Sequence, residues 1–158
     1  MCGVALFVNA TLVACDLIQA DNTFLLGKHV HLWWVAQRSR FALDDRLSIL
    51  VTENQQVYPG ARSANPNDLL PLAYLNGAVH ARIDADETLM PLPRVWKGSV
   101  EKSVFTRRIL AKLQPDELSI VKGTKCAASK LHNVVDAVGL GLYAIGSVRP
   151  VPGYTEVV

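Results

Sequence analysis

A short apolar run constrains the fold of this chain more than any other feature of its sequence. Leu47 to Thr52 is nearly continuous in apolar residues and rich in β-branched ones, which is the pattern of a β-strand covered on both faces. Helices are predicted before and after this strand, at about Thr23 to Arg46 and about Pro66 to Ile83. The sequence therefore predicts an α/β protein.

The other predicted elements continue this alternation. Asn65 and Pro66 supply a cap and a first helical position for the second helix. Gly139 and Gly141 lie inside the last helix and indicate close packing there, at some cost in helix propensity. The remaining elements are a hairpin of Gly3 to Val8 and Thr11 to Ile18 that turns at Asn9-Ala10, a strand near Leu89 to Val95, a helix capped by Ser99 that continues through Leu113, and a helix from Leu131 to Ile145.

Length and charge bound the organisation of the chain. It has 158 residues, and half of them are apolar, which is enough for a substantial core between two layers. We expect a single domain over residues 1–148 and a loose C-terminal tail over residues 149–158. The net charge of +2 is too small to indicate a polyanionic partner by itself.

The cysteines and the N-terminal segment indicate the cellular compartment in which the protein is expected. Cys2, Cys15 and Cys126 are odd in number and form no CxxC pair, so neither zinc nor a redox couple is indicated and a reducing cytoplasm is expected. The apolar run from Met1 to Ala14 has no basic segment before it and is too short to span a bilayer. This run is predicted to form buried strands, and no membrane partner is expected.

Glu53 is the first candidate for a functional residue. It directly follows the buried run at Leu47 to Val51, and open α/β sheets bind ligands at the carboxyl ends of their strands. A carboxylate that merely leaves the sheet for solvent would show the same pattern, so both interpretations stay open.

His132 and Asp136 form the second candidate group. They lie four residues apart in the predicted last helix, so both side chains share one helical face and can address one metal centre. A carboxylate on an otherwise apolar helix surface is costly to bury alone. We therefore expect either a metal ion or a basic partner, such as a lysine in an ion pair, to compensate Asp136.

Four segments carry a family resemblance through their order and separation. They are Gly3-Val4-Ala5-Leu6-Phe7, Leu50-Val51-Thr52-Glu53-Asn54, Pro93-Arg94-Val95-Trp96-Lys97-Gly98 followed by Lys102, and His132 through Leu142. In that order they resemble the second strand, the acidic fourth strand, the strand-to-helix connection of phage-type relatives and the last helix of the RuvC-type Holliday-junction resolvases, a family of the ribonuclease H-like superfamily.

The resemblance implies a ribonuclease H-like mixed sheet flanked by helices. It also implies cleavage of DNA phosphodiesters at branched junctions, in recombination and repair, with Mg²⁺ or Mn²⁺ as cofactor. Glu53 and Asp136 are then the metal ligands, and His132 ligates through water or shuttles a proton. A homodimer is expected, because a junction presents two symmetric strands.

The resemblance further implies four residues that contact DNA. Lys97 and Lys102 would neutralise phosphates. Tyr58 and Arg62 lie in the loop after Glu53, where a stacking ring and a cation would meet the junction. Ordinary surface positions remain the alternative for all four.

The resemblance begins after the first strand of the family. That strand carries a catalytic aspartate, whereas only Met1 and Cys2 precede Gly3 in this sequence. Asp16 and Asp21 follow the second apolar run and are not obvious substitutes. The first strand would be central in the sheet, so we expect either a natural product that starts upstream or a shortened relative whose sheet pairs differently.

Two other functions fit the sequence less well than a nuclease. The first is a catalytically incomplete DNA-binding relative that keeps the basic surface. The second is a nucleotide-binding or scaffold protein, which is weaker because the chain has no glycine-rich phosphate loop of the GxxxxGKS type.

Overall fold

The computed structural model describes residues 1–44, 47–55 and 66–146. The predicted tail, the cap at Asn65 and the candidate residues Tyr58 and Arg62 lie outside these ranges. The chain divides into two compact units, one built from Met1–Gln19 together with the chain from Arg94 onward, the other from Ala20–Pro93. The expectation of one domain over residues 1–148 stays a prediction.

The first unit begins with an antiparallel hairpin. Strand β1 (Cys2–Val8) pairs with β2 (Thr11–Ile18). Asn9 and Ala10 connect the strands with φ of 49° and 64°, which is the left-handed pair that a tight two-residue hairpin turn requires. The pairing shifts register between Leu6 and Phe7. The predicted hairpin and its turn are confirmed.

Four α-helices and a 3₁₀ turn, Ala128–Lys130, follow in the described part of the first unit. The helices are the single turn α3 (Pro93–Trp96), α4 (Lys102–Leu110), α5 (Pro115–Lys122) and α6 (Leu131–Ala144). Helix α6 lies in the core and packs on β1 and α4, with Val134, Val135 and Val138 fully buried. The backbone of β1 approaches α6 so closely that a Cβ at Gly3 would overlap the carbonyl of Asn133.

The second unit pairs two strands and two helices. Helix α1 (Thr23–Phe41) packs on α2 (Leu70–His80), and β3 (Leu47–Val51) runs parallel to β4 (Ala85–Leu89). A single 3₁₀ turn, Pro66–Leu69, precedes α2. Asn22 caps α1 by accepting a hydrogen bond from the Leu25 backbone N–H at 2.9 Å.

The mixed α/β class is confirmed, while the arrangement of strands differs in detail from the predicted one. The described strands form two sheets of two strands, one antiparallel and one parallel, where a single mixed sheet was expected. The ribonuclease H-like arrangement stays a prediction. In the described ranges no helix is both long and apolar enough to cross a bilayer.

Some element boundaries were predicted wrongly. The strand expected near Leu89 to Val95 lies earlier, at β4, because Pro91 and Pro93 cannot donate ladder hydrogen bonds and Pro93 instead starts α3. The N-cap of α4 is Glu101, not Ser99. Helix α5 was not predicted. Helix α1 ends at Phe41, because Ala42 takes a left-handed conformation with φ of 50°.

Candidate functional site

Helix α6 is mostly apolar and carries His132 and Asp136 among its few polar side chains. His132 and Asp136 are both half-buried and share one face through their four-residue spacing. The apolar residues of the same helix, among them Val134, Val135 and Val138, are buried. Both residues lie within α6, as the prediction that they share one helical face requires, and their role in a site stays a prediction.

Lys97 contacts this face from the residue after α3. Its Nζ donates to Asp136 Oδ2 at 2.9 Å, and the two side chains are 22% and 29% exposed. A charge-assisted contact at this distance and partial burial offsets part of the desolvation of the carboxylate. Of the two compensating partners expected for Asp136, a metal ion or a base, the structure supplies the base.

Two buried aromatic rings hold the ammonium group of Lys97 in place. Nζ lies 5.5 Å from the centroid of the Trp96 ring and 5.1 Å from that of Phe105, within the range of cation–π attraction. The two rings meet edge to face at 5.3 Å. A Cβ at Gly139 would lie 2.9 Å from Phe105 and 3.1 Å from Trp96, so the absence of a side chain at Gly139 lets α6 approach both rings.

Glu53 lies in the second unit, at the carboxyl end of β3. The Thr52 N–H donates to the Leu89 carbonyl, and the Asn54 N–H donates to the Pro91 carbonyl, each at 3.0 Å. The carbonyl of Glu53 accepts a hydrogen bond from Asn76 Nδ2 at 2.8 Å. The backbone at Glu53 is therefore fixed on both sides, and its side chain is half-buried.

His80 lies beside this strand end and was missed by sequence reasoning. Its Nε2 lies 2.9 Å from Thr52 Oγ1. Burial lowers the pKa of His80 below its ordinary value of 6.5, because desolvation disfavours the charged imidazolium. No spacing in the sequence predicts this pair, since it depends on a tertiary contact between the end of α2 and the residue that follows β3.

The structure does not bring Lys102, the other candidate residue of the first unit, together with Asp136 in the part of the chain that it describes. Lys102 is exposed at the first position of α4, and no contact joins it to Asp136 within the described ranges. The predicted convergence of Glu53 with His132 and Asp136 stays a prediction.

The donor set of α6 fits a hard divalent cation in part. Mg²⁺ binds through one or two carboxylates and keeps several waters, so Asp136 could supply one oxygen ligand, whereas the His132 imidazole is not a ligand that Mg²⁺ prefers. Across the described ranges, no three His, Cys, Asp or Glu side chains are grouped so that they could hold one metal ion. The Lys97 ammonium lies where a cation would bind the Asp136 carboxylate.

No protein-family model, curated protein or solved structure matches this chain at a significant level.

Proposed function

We propose that this chain is a metal-dependent, structure-selective endodeoxyribonuclease that cleaves branched DNA in the manner of RuvC-type resolvases. A ribonuclease H-like fold, a homodimeric state and a cytoplasmic location belong to the same proposal. The fold and the homodimeric state come from the resemblance of the four sequence segments to that family, and the cytoplasmic location comes from the cysteine pattern.

One contact supports the proposal more than any other. Two segments, Pro93 to Gly98 and His132 to Leu142, resemble different parts of the family. Lys97 of the first segment donates to Asp136 of the second at 2.9 Å. Gly139 of the second segment packs against Trp96 of the first. Two of the segments that carry the resemblance are therefore in contact, through a polar pair of Lys97 and Asp136 and through apolar packing of Gly139 on Trp96.

The proposed roles follow from the chemistry of the side chains. Asp136, together with Glu53, would hold Mg²⁺ or Mn²⁺, which supplies charge to stabilise the phosphodiester oxygens and to activate water. His132, on the same face as Asp136, can move a proton near neutral pH. Lys97 and the exposed Lys102 offer cations to DNA phosphates.

Cleavage of a labelled four-way junction, compared with a linear duplex of the same sequence, tests the proposal. The purified chain should cut the junction in Mg²⁺ and not in EDTA. Asp136→Asn and Glu53→Gln should each lower the rate by about 100-fold or more, the loss typical of removing a preorganised electrostatic group. Both variants should still bind the junction in a gel shift.

The matched control is Asp116→Asn. Asp116 is an exposed acid in the first turn of α5, in the same unit as Asp136, so this variant removes one negative charge without touching the site. It should cleave at the wild-type rate. Full activity of both Asp136→Asn and Glu53→Gln would reject the site assignment.

A second function is favoured by the same ion pair. The Lys97 ammonium already compensates Asp136, as expected of a relative that binds branched DNA without cutting it. Such a protein would shift the junction in a gel equally well with Mg²⁺ and with EDTA, and it would leave the junction intact in both. Cleavage in Mg²⁺ would rule this function out.

A further inference from the structure

Two cysteines that are far apart in the sequence come close together in the first unit. Helix α5 packs on β2, and the Glu117 carboxylate fixes that contact by accepting from the Leu12 backbone N–H at 2.7 Å. The packing brings Cys15 of β2 to the segment after α5, which contains Thr124 and Cys126. Cys15 Sγ lies 3.4 Å from Thr124 Oγ1, although the two residues are separated by 109 positions in the chain.

The segment after α5 turns so that Cys126 stays beside Thr124. The Cys126 N–H donates to the Thr124 carbonyl at 3.0 Å, which is the hydrogen bond of a three-residue turn. Because the side chain of Thr124 contacts Cys15, this turn holds Cys126 in the neighbourhood of Cys15.

The electrostatic surroundings of Cys15 agree with this geometry. Burial raises the pKa of Cys15 above its ordinary value of 9.0, the hydrogen bond with Thr124 lowers it, and the negative charges of Asp16 and Cys126 raise it. A thiolate at Cys126 can act on Cys15 in this way only at short range, because a charge interaction weakens with distance.

Cys126 lies where the chain can adjust to a covalent bond with Cys15. Cys15 is held in the antiparallel ladder of β1 and β2, whereas Cys126 lies in a connection between two helical elements and has exposed neighbours, Lys125 and Ala127. A disulfide requires Cα atoms about 4.4–6.8 Å apart. A connection outside the regular elements can shift to that separation at less cost than a strand.

We propose that Cys15 and Cys126 form a site of reversible oxidation, at which hydrogen peroxide joins the two thiols into an intramolecular disulfide. The sulfur of Cys126 attacks one peroxide oxygen, the O–O bond breaks, and a sulfenic acid and one water result. The sulfur of Cys15 then attacks that of Cys126. The S–S bond forms as the S–O bond breaks, and the thiol proton of Cys15 leaves with the hydroxyl group as a second water, so two electrons pass from the thiols to the peroxide.

The bond would join the two separated stretches of chain from which the first unit is built. A disulfide across so long a loop restricts the unfolded chain, so the oxidised protein should be more resistant to urea than the reduced one. None of the residues proposed for DNA cleavage takes part, so the oxidation can be measured whether or not the chain is a nuclease.

The test is a count of free thiols in the full chain after mild treatment with hydrogen peroxide, made with a chromogenic disulfide reagent in urea. Wild type has three cysteines and should fall from three thiols to one, and dithiothreitol should restore all three. Cys15→Ser and Cys126→Ser should each keep both of their remaining thiols. Mass spectrometry of a non-reduced digest should find the peptides of Cys15 and Cys126 joined, and oxidised wild type should unfold at a higher urea concentration than reduced wild type.

Cys2→Ser is the matched control. Cys2 lies in the same hairpin, where its Sγ donates to the Gly3 carbonyl at 3.2 Å, so its removal should leave the pair intact and the count should fall from two thiols to none. Alanine variants of Cys15 and Cys126 serve if a serine variant does not fold.

Four results would overturn the inference. They are three remaining thiols in wild type at a dose that oxidises free cysteine in the same solution, a disulfide that includes Cys2, a disulfide between two chains, and equal urea midpoints for oxidised and reduced wild type.

Discussion

The environment of His80 predicts how the free energy of unfolding depends on pH. Its imidazole contacts Thr52 Oγ1 at 2.9 Å, and burial lowers its pKa below 6.5. Above that value the ring is neutral in both the folded and the unfolded chain. As pH falls through about 6.5, the unfolded chain takes up a proton that the folded chain resists, so the free energy of unfolding falls until the folded pKa is passed.

His80→Gln should remove this dependence while keeping an amide that can bond Thr52. The measurement is urea unfolding of wild type and variant at several pH values between 8 and 5. The free energy of wild type minus that of the variant should be constant near pH 8 and should decrease on acidification below about pH 6.5. A difference that instead grows toward acid pH would contradict the neutral, desolvated imidazole.

At the scale of single residues, the sequence located the polar face of α6 but not its partner. The four-residue spacing placed His132 and Asp136 on one face, because that geometry is local to any helix. The choice between a metal ion and a lysine for Asp136 stayed open, since Lys97 approaches from a distant segment. His80 could not be found for the same reason, because its contact with Thr52 is tertiary.

At the scale of elements, two helical glycines differ only in their surroundings. A Cβ at Gly139 of α6 would lie 2.9 Å from Phe105 and 3.1 Å from both Ile109 and Trp96, whereas a Cβ at Gly77 of α2 would meet nothing within 4 Å. Alanine gains about 1 kcal/mol over glycine in either helix. Overpacking of a filled core costs about 1–3 kcal/mol.

Gly139→Ala should therefore be less stable than Gly77→Ala by about 1–3 kcal/mol, since the gain in helix propensity is common to both. Gly77→Ala should be more stable than wild type. The free energies of unfolding are compared in urea, with tryptophan fluorescence as the readout. Equal stabilisation by both substitutions would show that α6 does not pack on these rings as closely as described.

Elements with strong local signals were predicted, and elements without them were not. The hairpin turn and helices α1 and α6 have distinctive local sequence patterns. Strand β4 is mostly exposed and acidic, with Asp86 and Glu87 in its middle, so it lacks the apolar run that would have placed it. Helix α5 is short and begins at Pro115, two residues after the predicted helix end at Leu113, where a proline fits a helix terminator as well as a first helical position.

At the scale of the molecule, the first unit depends on joining two separated stretches of chain. Its hairpin comes from the first 19 residues and its helices from beyond Arg94. Local patterns predicted the pieces but not this assembly, because the contacts that join them lie far apart in the sequence. Glu117 is the clearest case, since its carboxylate accepts from the Leu12 N–H across 105 residues at 2.7 Å.

Substitution of Glu117 tests how much this contact between the hairpin and α5 contributes to the stability of the first unit. It is the buried charged residue of the described core, and its second oxygen accepts from the Gln114 N–H at 2.8 Å, which closes the capping box of α5. Glu117→Gln replaces one acceptor oxygen with a donor amide, so either the buried Leu12 N–H or the partly buried Gln114 N–H loses its partner. The cost should be about 1–3 kcal/mol.

Asp116→Asn is the control for this substitution, because it removes an equal charge from the same helix turn at an exposed position. It should cost only the helix-dipole contribution, about 0.3–1 kcal/mol. Urea unfolding followed by circular dichroism compares the two variants. If Glu117→Gln loses no more than Asp116→Asn, the two stretches of the first unit are held by apolar packing between the hairpin and α6, and the buried carboxylate serves only to cap α5.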